Sequence, residues 1–204
     1  MSAEDHHELP RWETFYEATP IETMPWFNPA LDADLERALD ELGLTSGSAL
    51  DIGAGPGTQA LHLARRGFDV TATDIAAAAI RQAQQQAGEH AQSINWQQDD
   101  ILDTRLDRPF DLIIDRGCFH VLAPERRPEY VSTVGNLLNP GGYFFLKCMS
   151  RLQPGEVGPY RFTPEQVREL FGSRLSVLSI GDTVYQGTLD PPPQALFCVM
   201  RRAQ

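Results

Sequence analysis

From Ala49 onwards, short apolar runs alternate with segments of helical spacing, and this alternation narrows the possible folds more than any other feature. Ala49 to Ile52 precedes a helical pattern from Thr58 to Arg66, and Phe68 to Thr73 precedes another from Ile75 to Ala87. Ile94 to Gln97, Leu112 to Asp115, a helix from about Glu125 to Leu138, and Tyr143 to Cys148 continue the series. Strands separated by helices are joined by crossovers, so the order predicts an α/β fold with a mostly parallel sheet and helices on both faces. Ahead of the series, Asn28-Pro29 reads as an N-cap with proline in the first turn of a helix carrying Leu31, Leu35, Ala38, Leu39 and Leu42, stopped by Gly43. After it, Thr163-Pro164-Glu165 opens a helix through Phe171, and Leu175 to Ile180 and Ala195 to Met200 read as two more strands. Gly187 and Pro191-Pro192-Pro193 between those two leave no room for a helix, which predicts an antiparallel pair.

A chain of 204 residues suits one domain, with residues 28–204 as the core and residues 1–27 as an N-terminal lid or arm. That arm carries Trp12, Phe15, Tyr16, Trp26 and Phe27 without a clear period, and His6-His7 reads as a solvated terminus. Seventeen basic against twenty-eight acidic residues give a net charge of -11, which opposes docking on nucleic acid or anionic lipid and favours a small-molecule partner. The longest apolar run, Ile75 to Ile80, is too short to span a membrane, and the first residues have no secretory pattern, so a cytoplasmic protein is expected. Cys118, Cys148 and Cys198, widely spaced and odd in number, argue against a disulfide framework or a metal site. Lys147, the one lysine, is expected to extend to a rim at its strand's end.

The stretch LDIGAGPGTQ, residues 50–59, lies in the loop after the first strand, where α/β sheets bind ligands. Its glycines, Gly53, Gly55 and Gly57, run G-x-G-x-G rather than the dinucleotide spacing G-x-G-x-x-G, and no P-loop lysine follows. Asp51, just ahead of them, would repel a pyrophosphate and attract a cation. S-adenosylmethionine meets that demand, since it carries an ammonium and a sulfonium and no phosphate. On this reading the glycines let the backbone approach the ligand, whose space any side chain would occupy. A nicotinamide site is the competing reading. Asp74, about 20 residues on at the end of the second strand, is placed to accept from ribose hydroxyls. Asp99-Asp100 after the third strand offers a carboxylate to an adenine amino group.

LDIGAGPGTQALHLARRGFDVTATD, WQQDDILD and FDLIIDRG, in this order, resemble the class I S-adenosylmethionine-dependent methyltransferases over roughly residues 28–201. That likeness implies a Rossmann-like, seven-stranded sheet whose final hairpin inserts an antiparallel strand. It implies S-adenosylmethionine as cofactor, S-adenosylhomocysteine as product, and Asp51, Gly53, Gly55, Gly57, Asp74, Ile75, Asp100, Ile101, Asp115 and Arg116 as its surroundings. DRGCFHVLAPERRPEY, LLNPGGYFFLKCMS and GPYRFTPEQVRELF are similar to the branch containing thiopurine, halide and thiol methyltransferases. This narrower likeness implies a thiol or other soft nucleophile as acceptor, with Trp12 and Trp26 closing over the cofactor. An O- or N-methyltransferase of a small aromatic compound and a non-catalytic cofactor-binding module are the alternatives. Tyr16, Phe27, Tyr160 and Arg161 are the candidate acceptor contacts. His120 is either a general base, with Asp115 the other candidate for catalysis, or a structural histidine. Cys118 is expected to pack rather than react. The expected assembly is a monomer or homodimer.

Overall fold

The computed structural model describes residues 11–155 and 157–204, so the His6-His7 pair lies outside the described residues. Strands β1 (Gly47–Ile52), β2 (Phe68–Asp74), β3 (Ile94–Gln98), β4 (Phe110–Arg116), β5 (Leu138–Met149), β6 (Ser176–Val184) and β7 (Gln194–Arg201) form one sheet. Their order is β3-β2-β1-β4-β5-β7-β6. The first five run parallel, and β7 is antiparallel to both β5 and β6, as the short proline-rich connection predicts. No described helix is long and apolar enough to cross a membrane.

Side-chain alternation divides the core between the two faces. Leu50, Ile52, Ile113, Phe144, Leu146, Leu196 and Cys198 pack with helices α5 (Arg127–Leu137) and α6 (Pro164–Phe171). Their strand neighbours Ala49, Leu112, Ile114, Phe145, Phe197 and Val199 pack with α2 (Ala33–Glu41) and α3 (Thr58–Arg65). The helix between β2 and β3, α4 (Ala77–Ala87), carries the arm against its exposed side.

Three local expectations need correction. Helix α2 begins at Ala33 with Asp32 as its cap, accepting from the Asp34 amide at 3.1 Å, while Asn28 closes a turn on Ala30 instead. Tertiary partners of Asp32, described below, hold the cap at that position. Strand β5 starts at Leu138 because Asn139-Pro140-Gly141-Gly142 forms a shifted register within the strand and not a loop before it. The arm contains a helix, α1 (Trp12–Ala18), of seven residues. It is too short to show a period or to stand alone, and α4 supports it: Glu13 accepts from the Ala78 amide at 3.1 Å and pairs with Arg81.

Candidate active site

Strand order reverses between β1 and β4, and at such a switch point the loops leaving the carboxyl ends part to form a crevice. A cavity of about 530 Å³ lies there. The loops after β1 to β5 supply its walls, and α1, Trp26 and the β6–β7 connection roof it.

Gly53, Gly55 and Gly57 have φ of 62°, 51° and 74°, a region that side chains disfavour. Only Gly53 faces the cavity. The space that a Cβ would take is already filled by protein: Cys118 at Gly53 (2.9 Å), the Tyr16 hydroxyl at Gly55 (2.7 Å), and Trp96 at Gly57 (2.6 Å). The expectation that a side chain at these glycines would occupy the ligand's space is therefore corrected, because all three leave room for protein: the turn after β4, the arm and β3.

Asp51 is 2% exposed and does not line the cavity. It shares its strand face with Ala49, and its Oδ2 has no hydrogen-bond partner. Burial raises its pKa to about 8, the Asp115 and Asp74 charges add to the rise, and the Ala60 amide and the Arg116 charge partly offset it. Asp74 does line the cavity. Its Oδ2 accepts from the Gly55 amide at 3.0 Å and its Oδ1 from Ala76 at 2.9 Å, while burial lifts its pKa to about 6. Of the pair after β3, Asp99 is occupied by Thr104 (2.5 Å) and the Arg105 amide (2.9 Å). Asp100 is bound through Oδ1 alone, by the Leu102 amide. Both acids line the cavity beside Ile101, and the half-exposed Ile75 faces it from the end of β2.

Consecutive residues at the end of β4 point to opposite faces. Asp115 turns toward α5, where its carboxylate accepts from the amides of Gly117, Cys118 and Phe119 at 2.8–2.9 Å and from the Tyr130 hydroxyl. Burial nevertheless raises its pKa to about 6. It shapes the turn below the cavity without lining it. Arg116 turns toward α2, donating from Nε to Asp32 (2.7 Å), from Nη1 to the Trp26 carbonyl (2.9 Å), and from Nη2 to the Gln186 carbonyl. It thereby joins arm, core and β6–β7 connection on the cavity wall. Lys147 does not reach a rim: it is 2% exposed and donates to Asp32, Asp34 and Gln186 within 2.7–2.9 Å.

His120 is buried in the cavity wall, with its Nδ1 accepting from the Met149 amide at 3.1 Å. Burial, aided by the Arg116 charge, drives its pKa down to about 3, so the ring is neutral. Trp12, Tyr16 and Trp26 line the cavity as an edge-packed cluster, with Trp12 and Trp26 ring centres 6.0 Å apart. Phe27 joins that cluster without facing the cavity. Tyr160 and Arg161 also lie off the lining: Arg127 stacks on Tyr160 at 4.6 Å, and Arg161 donates to the Val157 carbonyl at 3.1 Å. Sequence reasoning missed Val121, Leu122, Met149, Pro159, Tyr185 and Leu189, which form a mostly apolar end around His120. Their positions after β4, β5 and β6 were the available signal.

This sheet order, with its crevice at the β1/β4 switch point, is the architecture of the class I S-adenosylmethionine-dependent methyltransferases. The protein solved in work on the conversion of a disulfide bond into a thioacetal group during echinomycin biosynthesis has a similar fold. The two share 24% identity and a TM-score of 0.79, over 94% of this chain and 91% of that one. Residues 49–142 match the model of the methyltransferase domain family. An uncharacterized methyltransferase of Schizosaccharomyces pombe is 30% identical over 55% of this chain and 78% of its own length. The chain belongs to the S-adenosylmethionine-dependent methyltransferases. It is also similar to the 2-heptyl-1-hydroxyquinolin-4(1H)-one methyltransferase of Mycobacteroides abscessus, 30% identical over 65% of this chain and 60% of that protein. Thiocyanate methyltransferase 1 of Arabidopsis thaliana is 29% identical over 64% of this chain and 57% of that protein.

Proposed function

We propose that this chain methylates a small molecule at a thiol or another soft nucleophilic atom, using S-adenosylmethionine. The observation that carries the cofactor assignment is the unpartnered Oδ2 of Asp51 beneath the glycine turn. Burial keeps this carboxyl protonated although the Arg116 charge favours its ionised form, and a cationic ligand above the turn would favour ionisation further, as a polyphosphate could not. The one lysine offers no alternative phosphate site, because two aspartates hold it. When bound, S-adenosylmethionine supplies a methyl group made electrophilic by its sulfonium.

The residues present fit that group. Each oxygen of Asp74 keeps a lone pair beyond its amide bond, enough for a pair of ribose hydroxyls. Asp100 has a free oxygen for an adenine amino group, which Asp99 lacks. Ile75 and Ile101 would flank the base, and Arg116 with Gly117 would bound the amino-acid end. Asp115, saturated by four donors, positions the 117–119 turn and has no part in proton transfer. Trp12, Tyr16 and Trp26 act as a lid that keeps water from the reacting atoms.

The apolar end around Val121, Leu122 and Met149 supports a small, poorly solvated acceptor, and the net charge of -11 argues against a polyanionic one. The thiocyanate methyltransferase relative supports a soft nucleophile. The hydroxyquinolone relative supports a second reading, methylation of an oxygen on a small aromatic compound. A panel of thiols, thiocyanate and hydroxylated heteroaromatics with labelled methyl donor separates the two. Calorimetry showing no binding of S-adenosylmethionine or S-adenosylhomocysteine would overturn both.

A further inference from the structure

Among the described residues that line it, the acceptor end of the cavity holds one histidine and, on its β4 and β5 sides, no carboxylate. Asp115 is saturated from within, and Asp74, Asp99 and Asp100 belong to the loops after β2 and β3. The hydrogen-bond partners of His120 assign its tautomer. The Met149 amide donates to Nδ1 at 3.1 Å, so Nδ1 keeps its lone pair. Tyr185, whose oxygen is 3.4 Å from Nδ1, spends its one proton on the Lys147 carbonyl at 2.6 Å and does not compete. The ring proton is therefore on Nε2. That nitrogen stands 3.3 Å from where a Cβ on Gly117 would lie and has no protein hydrogen-bond partner among the described residues.

We infer that His120 is a fixed hydrogen-bond donor to the acceptor, through Nε2–H, and that the enzyme takes soft nucleophiles that arrive already ionised, thiolates above all. This rests on the methyl-transfer reading above. Moving the proton to Nδ1, as a general base acting through Nε2 requires, would set two N–H groups against each other at the Met149 contact. The ionisable groups facing the ring argue the same way. Arg116 from β4 disfavours an imidazolium, Tyr185 beyond β6 and Cys118 in the same turn are themselves held protonated by burial, and the Lys147 ammonium points to Asp32 and Asp34. A neutral N–H bonds an anion about twice as strongly as a neutral atom, which favours the ionised acceptor without taking its proton. In the transfer, a sulfur lone pair of the thiolate forms the new S–C bond. The methyl–sulfonium bond breaks, its electron pair stays on the departing sulfur, both charges cancel and no proton moves.

Two measurements test this. Long-range proton–nitrogen correlation spectra of the His120 ring should show the neutral Nε2–H form throughout pH 6 to 9, with or without S-adenosylhomocysteine; an Nδ1–H or charged ring overturns the inference. In the second, His120→Gln keeps a side-chain N–H and cannot act as a base, whereas His120→Ala removes both. With thiols of graded acidity, kcat/KM should rise with pH to each thiol's own pKa. The Gln variant should stay within about tenfold of wild type and the Ala variant fall by about 10- to 100-fold, the range for one hydrogen bond to a charged group. Equal losses in both variants, with one enzyme pKa shared by all thiols, would restore a general base. Calorimetric binding of S-adenosylhomocysteine to each variant is the control: its loss in wild type refutes the cofactor reading, while its retention beside a failed tautomer or Gln result refutes this inference alone.

Discussion

Lys147 Nζ lies 2.8 and 2.9 Å from the two carboxylate oxygens of Asp32, and both side chains are buried. Asp32 also caps α2 and receives Arg116, while Asp34 takes a third bond from Lys147 at 2.7 Å and one from Thr183 at 2.6 Å. One cluster thus locks together the start of α2, the ends of β4 and β5, and the strand β6 that leads to the cavity roof. A buried cluster of this kind contributes little over an apolar one of equal volume, yet removing one member strands the others.

Lys147→Met keeps the volume and leaves two buried aspartates to share Arg116, Arg37 and neutral donors. The expected loss is about 3–5 kcal/mol of unfolding free energy in denaturant titration. A loss under about 1 kcal/mol would mean that water replaces the ammonium and that the cluster does not organise the site.

Asp51→Asn tests the electrostatic basis of cofactor binding. Wild-type Asp51, with a folded pKa of about 8 against 3.8 unfolded, holds its proton in the folded chain while the unfolded chain releases it. Its share of stability is thus complete below pH 4 and is lost as pH rises toward 8. Asp74 and Asp115, each near 6, act in the same direction over a narrower window. The Asn variant should therefore flatten the fall in melting temperature between pH 6 and 8. A cation overhead favours the carboxylate, so S-adenosylmethionine binding at pH 7 should release up to one proton in wild type and none from this site in the variant. The variant should bind roughly tenfold or more weakly, about 1.4 kcal/mol. Binding enthalpies independent of buffer ionisation in wild type would remove Asp51 from the site.

Gly55→Ala places a methyl group 2.7 Å from the Tyr16 hydroxyl at a φ of 51°. Strain of about 1–2 kcal/mol comes from the backbone, and the clash adds to it. Tyr16→Phe frees the space and should recover part of the lost cofactor affinity in the double variant. Additive losses in a double-mutant cycle read by calorimetry would show that the arm does not close on the glycine turn.

Much of this architecture is written in local periodicity. Alternating apolar runs and helical patterns gave the strand and helix order from Ala49 to Met149, and the short proline-rich connection gave the antiparallel β6–β7 pair. Thr163-Pro164-Glu165-Gln166 encodes a capping box that forms as such at the start of α6. Asp74 and His120 were legible from their places after strands and Tyr16 from the aromatic arm, whereas Asp100, Arg116, Trp12 and Trp26 became candidates through the resemblance to the methyltransferase family.

What the sequence by itself determined is therefore the succession of elements and the face each residue turns to, since both follow from backbone repeat lengths a few residues long. Only the tertiary structure decided the partners of the polar groups. Lys147 meets aspartates more than 100 residues away, the space beside Gly55 belongs to Tyr16, and an amide on β5 sets the proton of His120. A buried charge or ring nitrogen takes its state from whatever neighbour the fold delivers, and no short-range pattern in the chain records that neighbour.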